Sequence, residues 1–308
     1  MSKVSIIGAG NVGATAAYKI AHREICDEIV LLDIKPGVAE GKAIDICQSG
    51  VLEQFDTKVI GVTNDYEKTS NSDIIVVTSG IPRKPGMTRE ELVEVNSKVM
   101  ESVLSETSKY SPNAIYIIVS NPMDTMTYFA YKYLKISAKK VIGMGGLLDS
   151  ARFCNNLAEK LNVPRSEIWG MVIGGHGDTT MVPLISTAYH NDTPISDLLT
   201  KEEIEEVIQE TMKGGATLTN LIGTSAWEAP AAGIVGLVEA LFSNTSTYIP
   251  CSVYREGYDV CIGSIVLINS HGIKEIVPED NLTETENSKF LKSVLAVKVV
   301  NKALPTIK

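Results

Sequence analysis

The run Val4-Ser5-Ile6-Ile7-Gly8-Ala9-Gly10-Asn11-Val12-Gly13, read with Asp33 twenty residues beyond it, constrains this chain more than any other stretch. Its first four residues have the apolar, β-branched character of a strand buried on both faces. Three glycines follow in G-x-G-x-x-G spacing, and then Ala14-Thr15-Ala16-Ala17-Tyr18-Lys19-Ile20, a good helix former. In such a turn the first glycine permits the tight bend and the second lets the backbone approach a pyrophosphate. The third lets helix and strand pack, and the helix N-terminus offers free N–H groups to the phosphates. Segment 28–33 is a second strand ending in Asp33, a carboxylate placed to hold ribose hydroxyls. Strand, glycines, helix and acid in this order predict a dinucleotide site made by Gly8, Ala9, Gly10, Asn11, Val12, Gly13 and Asp33.

The alternation continues. Segment 38–48 reads as a helix, 58–62 as a strand, and 73–78 as a buried strand closing on Ser79-Gly80. Such units predict an α/β fold with a doubly wound parallel sheet of the Rossmann type, ligands lying beyond the strand carboxyl ends. Then comes Ile81-Pro82-Arg83-Lys84-Pro85-Gly86-Met87-Thr88-Arg89. Two prolines, a glycine and three cations between a strand and a helix predict a mobile, positively charged loop. A helix over 89–109 carries Asn96 in its early turns; 114–120 is a strand closing on Asn121-Pro122, 127–134 a helix, and 140–143 a sixth strand. Beyond it the pattern changes. Helices are expected at 148–161, 202–221 and 230–242, and a strand at 169–174 leads into Gly175-His176-Gly177-Asp178. Segments 246–254 and 259–269 alternate like antiparallel strands, His271-Gly272 turns into a further one, and 284–303 is a terminal helix. That change of pattern divides the chain into a nucleotide-binding domain, 1–143, and an α+β substrate domain, 144–308.

Composition narrows the partners. With 308 residues, 44 % hydrophobic and 21 % charged, the chain can bury two sizeable cores. A net charge of −9 with no basic stripe argues against nucleic acid. The longest apolar run, 229–242, is interrupted by Glu239 and is too short to span a bilayer. Five scattered cysteines without a C-x-x-C read as free thiols of a reducing compartment, with no metal site. The chain enters its first strand by Val4, so no signal peptide is expected and the location read here is cytoplasmic.

Five pieces in order resemble the lactate/malate dehydrogenase superfamily, in its lactate-dehydrogenase-like malate dehydrogenase form. They are the glycine loop with Asp33, the 81–89 loop, Val119-Ser120-Asn121-Pro122, Leu148-Asp149-Ser150-Ala151-Arg152, and Gly175-His176-Gly177-Asp178. The resemblance makes His176 the general acid/base, since an imidazole near neutral pKa can both give and take a proton. It makes Asp149 the partner that fixes the ring tautomer and favours the imidazolium. Arg152, three residues after Asp149 on one helix face, would hold the substrate carboxylate in its planar fork, with an ion pair to Asp149 as the competing reading. Arg89 would close over the substrate and stabilise its oxygen as charge develops. Asn121 would hydrogen-bond substrate or nicotinamide ribose, with Asn96, Val119 and Ser120 completing the cofactor side. The resemblance also implies a cis Asn121–Pro122 bond.

Arg83 bears on the substrate. The family usually has Gln there for lactate and Arg for malate, where it meets a second carboxylate. A closed loop burying Arg83 without that partner would cost about 3–5 kcal/mol. The implied reaction is NAD-dependent interconversion of (S)-malate and oxaloacetate. The alternatives are a lactate or other 2-hydroxyacid dehydrogenase of the same fold, or a non-catalytic NAD(H)-binding sensor. Asp33 favours NAD over a 2′-phosphate, although Lys35 nearby leaves some tolerance of NADP. A homo-oligomer is implied, a dimer or a tetramer, with the tetramer favoured. Two places depart from the family: Thr224-Ser225-Ala226, where Gly-Ser-Ala is frequent, and Gly145-Gly146, where one glycine is commonly Ala.

Overall fold

The computed structural model describes residues 1–82 and 86–307. In the first half strands and helices alternate: β1 (Lys3–Ile7), α1 (Asn11–His22), β2 (Glu28–Asp33), α2 (Val38–Glu53), β3 (Lys58–Thr63), β4 (Ile74–Val77), α3 (Arg89–Tyr110), β5 (Ile115–Ile118), α4 (Met123–Leu134) and β6 (Val141–Gly143). The six strands pair in parallel in the order β3-β2-β1-β4-β5-β6. The direction of winding reverses between β1 and β4, which opens a crevice at their carboxyl ends. The strands read as nearly unbroken apolar runs because both faces are covered. Ile6, Leu31, Val76 and Ile117 join one core with Ala17 and Ile20 of α1. Their neighbours Ile7, Leu32, Val77 and Ile118 turn to the other, against Val93, Met100 and Leu104 of α3 and Phe129 of α4. The doubly wound expectation is met.

The second half holds α5 (Gly146–Leu161), β7 (Ile168–Trp169), β8 (Val172–Gly174), β9 (Met181–Pro183), β10 (Tyr189–His190), β11 (Thr193–Pro194), α6 (Ile195–Leu198), α7 (Lys201–Ile222), α8 (Glu228–Phe242), β12 (Thr247–Arg255), β13 (Val260–Asn269), β14 (Gly272–Ile276) and α9 (Glu284–Asn301). The sheet does not stop at β6. The antiparallel pair β12–β13 docks on it with Ser252 opposite Gly143, and β8, β9 and β14 extend it to eleven strands. A Cβ on Gly143 would stand 2.3 Å from Met123 Sδ and 2.8 Å from Ser252 Cβ, so this junction requires glycine. No helix of the described residues is long and apolar enough to cross a membrane.

Several segments differ from the sequence expectation: α2 runs to Glu53, five residues past 48, and 181–198 holds β9, β10, β11 and α6 where no element was expected. The single strand at 169–174 is two strands in different sheets, β7 pairing with β10 and β8 with β13 and β9. The break falls at Gly170, where a Cβ would press within 2.9 Å of the Phe153 ring and Cys154 Sγ donates to the carbonyl. Helix α4 starts at Met123, directly after Pro122, four residues earlier than expected.

Candidate active site

The glycine loop joins β1 to α1, and its three glycines are constrained differently. Gly8 has φ +111°, and a Cβ there would lie 2.7 Å from Thr78 Oγ1 and 2.9 Å from the Ser79 nitrogen. At Gly13 a Cβ would lie 1.9 Å from the Gly8 carbonyl oxygen. At Gly10, the N-cap, it would meet nothing within 4 Å, and no side chain caps the helix among the described residues. The chain itself therefore needs the first and third glycines, and leaves open space over the helix N-terminus at the second. Asp33 ends β2 beside this loop and accepts from Ala9 N (2.7 Å) and Lys35 N (2.9 Å).

His176 follows β8 in a tight glycine-flanked loop held by Ser293 Oγ, which donates to the Thr180 carbonyl (2.7 Å) and accepts from Gly175 N (2.8 Å). Its Nδ1 lies 2.7 Å from Asp149 Oδ2 in the first turn of α5. A carboxylate oxygen accepts, so Nδ1 carries the hydrogen and Nε2 is left for proton exchange. Arg152 Nη1 donates to the other oxygen of Asp149 at 3.1 Å, and its Nε is buried with no partner among the described residues. The geometry shows the ion-pair reading of Arg152, whose remaining donors are left for the carboxylate role proposed below. Burial lowers the affinity of His176 for a proton, and the Asp149 charge and hydrogen bond, with Asp124 behind them, outweigh it against Arg152; the net shift is upward.

One cleft brings Gly10 to Gly13 together with Val119, Ser120, Asn121, His176 and the segment from Thr224 to Trp227. A neighbouring cleft sharing Gly10 and Gly80 runs to Asp33. Arg89, exposed at the start of α3, lines a third opening that also reaches Asn121 and His176. Asn121–Pro122 is cis. Asn96 is buried and braces the loops: it accepts from Ile81 N (2.9 Å) and donates to the carbonyls of Ile81 (3.1 Å) and Asn121 (2.6 Å). Arg83 lies outside the described residues. The other histidines stand elsewhere: His22 meets Glu53 at 3.0 Å, His190 meets Glu167 at 2.9 Å, and His271 is exposed.

Residues 2–143 match the model of the lactate/malate dehydrogenase NAD binding domain, and residues 147–303 that of the lactate/malate dehydrogenase alpha/beta C-terminal domain. The chain belongs to the lactate/malate dehydrogenase family. It is 54 % identical to a malate dehydrogenase of Parabacteroides distasonis over 100 % of this chain and 99 % of that one. It superposes on malate dehydrogenase of Cryptosporidium parvum with a TM-score of 0.94 at 38 % identity, covering 98 % of each chain. A lactate dehydrogenase of the same organism, solved with lactic acid and nicotinamide adenine dinucleotide, follows at TM-score 0.92 and 34 % identity, over 98 % of this chain and 97 % of that one.

For a member of this family, the residues present fit the dinucleotide: open space at Gly10, an uncapped helix N-terminus, and a carboxylate at the end of β2. The departures from the family pattern also find places. Met123 fills the room at Gly145, where a Cβ would stand 2.3 Å from its Cε, and Gly146 lies against the Pro250 carbonyl. Thr224 to Ala226 line the His176 cleft. Several groups escaped the sequence reading. Lys42 Nζ donates to the Ala9 carbonyl at 2.7 Å, gripping the glycine loop from α2. Gly214 and Gly215 on α7 lie against the Arg152 side chain and leave it room. Asp124, in the first turn of α4, accepts from His176 N and Ser252 Oγ, both at 2.7 Å. An acid one turn after Asn-Pro was the signal available for it.

Proposed function

We propose that the chain is an NAD-dependent malate dehydrogenase interconverting (S)-malate and oxaloacetate. The observation that carries this is the imidazole of His176, tied through Nδ1 to Asp149, facing the same cleft as the glycine loop and Asn121. The glycine loop and Asp33 would hold NAD, which would supply the hydride acceptor for malate C2 and, reduced, the hydride donor for oxaloacetate. His176 Nε2 takes the hydroxyl proton of malate and gives it back to the carbonyl of oxaloacetate. Asp149 holds the tautomer and offsets the imidazolium charge. Arg152 clamps the C1 carboxylate through its fork, and Arg89 steadies the oxygen as charge builds on it. Arg83 meets the far carboxylate. Val119, Ser120 and Asn121 line the nicotinamide side, and Asn96 acts by bracing it. The division into domains 1–143 and 144–308, a cytoplasmic location, a role in the tricarboxylic acid cycle and a homotetrameric assembly belong to the same proposal.

NADH oxidation with oxaloacetate against pyruvate tests it. Oxaloacetate should be preferred, and Arg83→Gln should collapse that activity while gaining on pyruvate. Losing a partner for a buried charge at about 3–5 kcal/mol corresponds to a hundredfold or more. A wild-type preference for pyruvate makes this a lactate-type enzyme. Turnover that survives His176→Asn removes the assigned base.

A further inference from the structure

Asp124 is a buried carboxylate that the reaction as described does not use, and it sits where few elements could be without consequence. It lies in the first turn of α4, in the first half of the chain. Its Oδ2 accepts the peptide N–H of His176, in the second half, and its Oδ1 accepts Ser252 Oγ of β12. Ser252 is opposite Gly143 in the strand pair that joins β12 to β6. The carboxylate therefore ties the catalytic loop, α4 and the sheet junction at one point. We infer that Asp124 is a positioning residue for His176: it anchors the peptide behind the imidazole, and its charge is a second anion facing that ring.

Anchoring and charge have separate consequences. The two hydrogen bonds fix where the loop carries the imidazole, which neither Asp149 nor Arg152 does, since both act on side chains. The charge acts on protonation. Facing Asp124 are His176, Asp149 of α5 and the buried thiol of Cys261 on β13. Arg89 of α3 lines the opening that Asp124 also borders, and α9 contributes only apolar side chains there. Facing His176, the anions are Asp149 and Asp124 and the cation is Arg152. With the ring protonated these four groups sum to zero; without that proton the cluster is negative. Burial pushes the Asp124 carboxyl up to about 6, so it is ionised through the range in which an upshifted His176 titrates.

This inference rests on His176 being the acid/base. Its test is the pH profile of kcat/KM in both directions for Asp124→Asn. An asparagine can accept from His176 N through its oxygen and donate to Ser252 Oγ through its nitrogen, so geometry is kept while the charge goes. Loss of an anion facing the imidazole should move its pKa down by about one unit. Oxaloacetate reduction, which needs the protonated ring, should then fail at lower pH, up to about tenfold weaker on the alkaline side. Malate oxidation, which needs the neutral ring, should begin at lower pH and gain on the acidic side. A purely structural defect would lower both directions together. Ser252→Ala removes one donor, favours the neutral carboxyl and should shift both limbs in the same sense by less, which keeps the test decisive should Asp124→Asn fold poorly. Limbs that superimpose on wild type, or equal losses in both directions without a shift, overturn the inference. His176→Asn run alongside separates the two failures: if it still turns over, the assignment of the base is at fault instead.

Discussion

Replacing Gly10 and Gly13 by alanine, one at a time, should separate cofactor binding from folding. At Gly13 the new methyl would stand 1.9 Å from the Gly8 carbonyl oxygen and 2.8 Å from Thr78 Oγ1. The nearer atom is backbone, so β1 and α1 must move apart, at a cost of about 1–3 kcal/mol or more. At about 2–4 °C per kcal/mol for a chain of this class, the melting temperature should fall by several degrees. At Gly10 the methyl meets nothing within 4 Å, and the backbone φ of −66° suits any residue. Only the N-cap preference for glycine over alanine is lost, about 1 kcal/mol at most. That same open space is where a pyrophosphate must approach the first turn of α1. Forcing ligand and loop apart at about 1–3 kcal/mol means roughly 5- to 140-fold weaker NADH binding. NADH fluorescence titration beside thermal melting reads both quantities. Gly10→Ala binding NADH as tightly as wild type would refute the reading of that space as the pyrophosphate seat.

Two further outcomes follow from the acid/base cluster. Arg152→Lys keeps a charge near Asp149 but loses the fork; one charge-assisted hydrogen bond of about 1.5–3 kcal/mol predicts a ten- to hundredfold rise in KM for oxaloacetate, with NADH affinity unchanged. Asp124 titrates near 6 in the folded state against 3.8 for a free side chain, so the native protein holds that proton longer than the unfolded one. Stability from this group is full below about pH 4 and falls as pH rises to 6, by about 3 kcal/mol. Asp124→Asn removes that fall, so urea titrations should show the variant gaining on wild type between pH 4 and 7; a constant difference would refute it.

The fold was legible because its signals are local. Period and polarity mark β1, β2, β4 and β5 as strands buried on both faces, and the structure places each within a residue or two of expectation. The break in 169–174 was invisible because it depends on a distant ring, Phe153, claiming the space beside Gly170. The early start of α4 was missed because Met123 to Met126 carry no helical period of their own; they are helical because they are buried under the sheet junction.

The site divides along the same line. His176, Asp149, Arg152 and Asn121 stand in motifs, where residue type and spacing declare the chemistry, and the structure brings His176, Asp149 and Arg152 into one hydrogen-bonded unit. Asp124 and Ser252 stand in ordinary helix and strand positions; Asp124 is 52 residues from His176 and 128 residues from Ser252. Nothing local distinguishes Ser252 from a solvated polar residue, and Asp124 stands out only by its place one turn after Asn121-Pro122. What gives them meaning is the β6–β12 pairing, which carries Ser252 to the carboxyl end of the parallel sheet, where Asp124 and His176 also arrive. The groups proposed to react thus stand in motifs readable from sequence, whereas the carboxylate and hydroxyl hydrogen-bonded behind the imidazole had to be found in space. A substitution at Asp124 would look conservative in sequence and still change the proton inventory of the site.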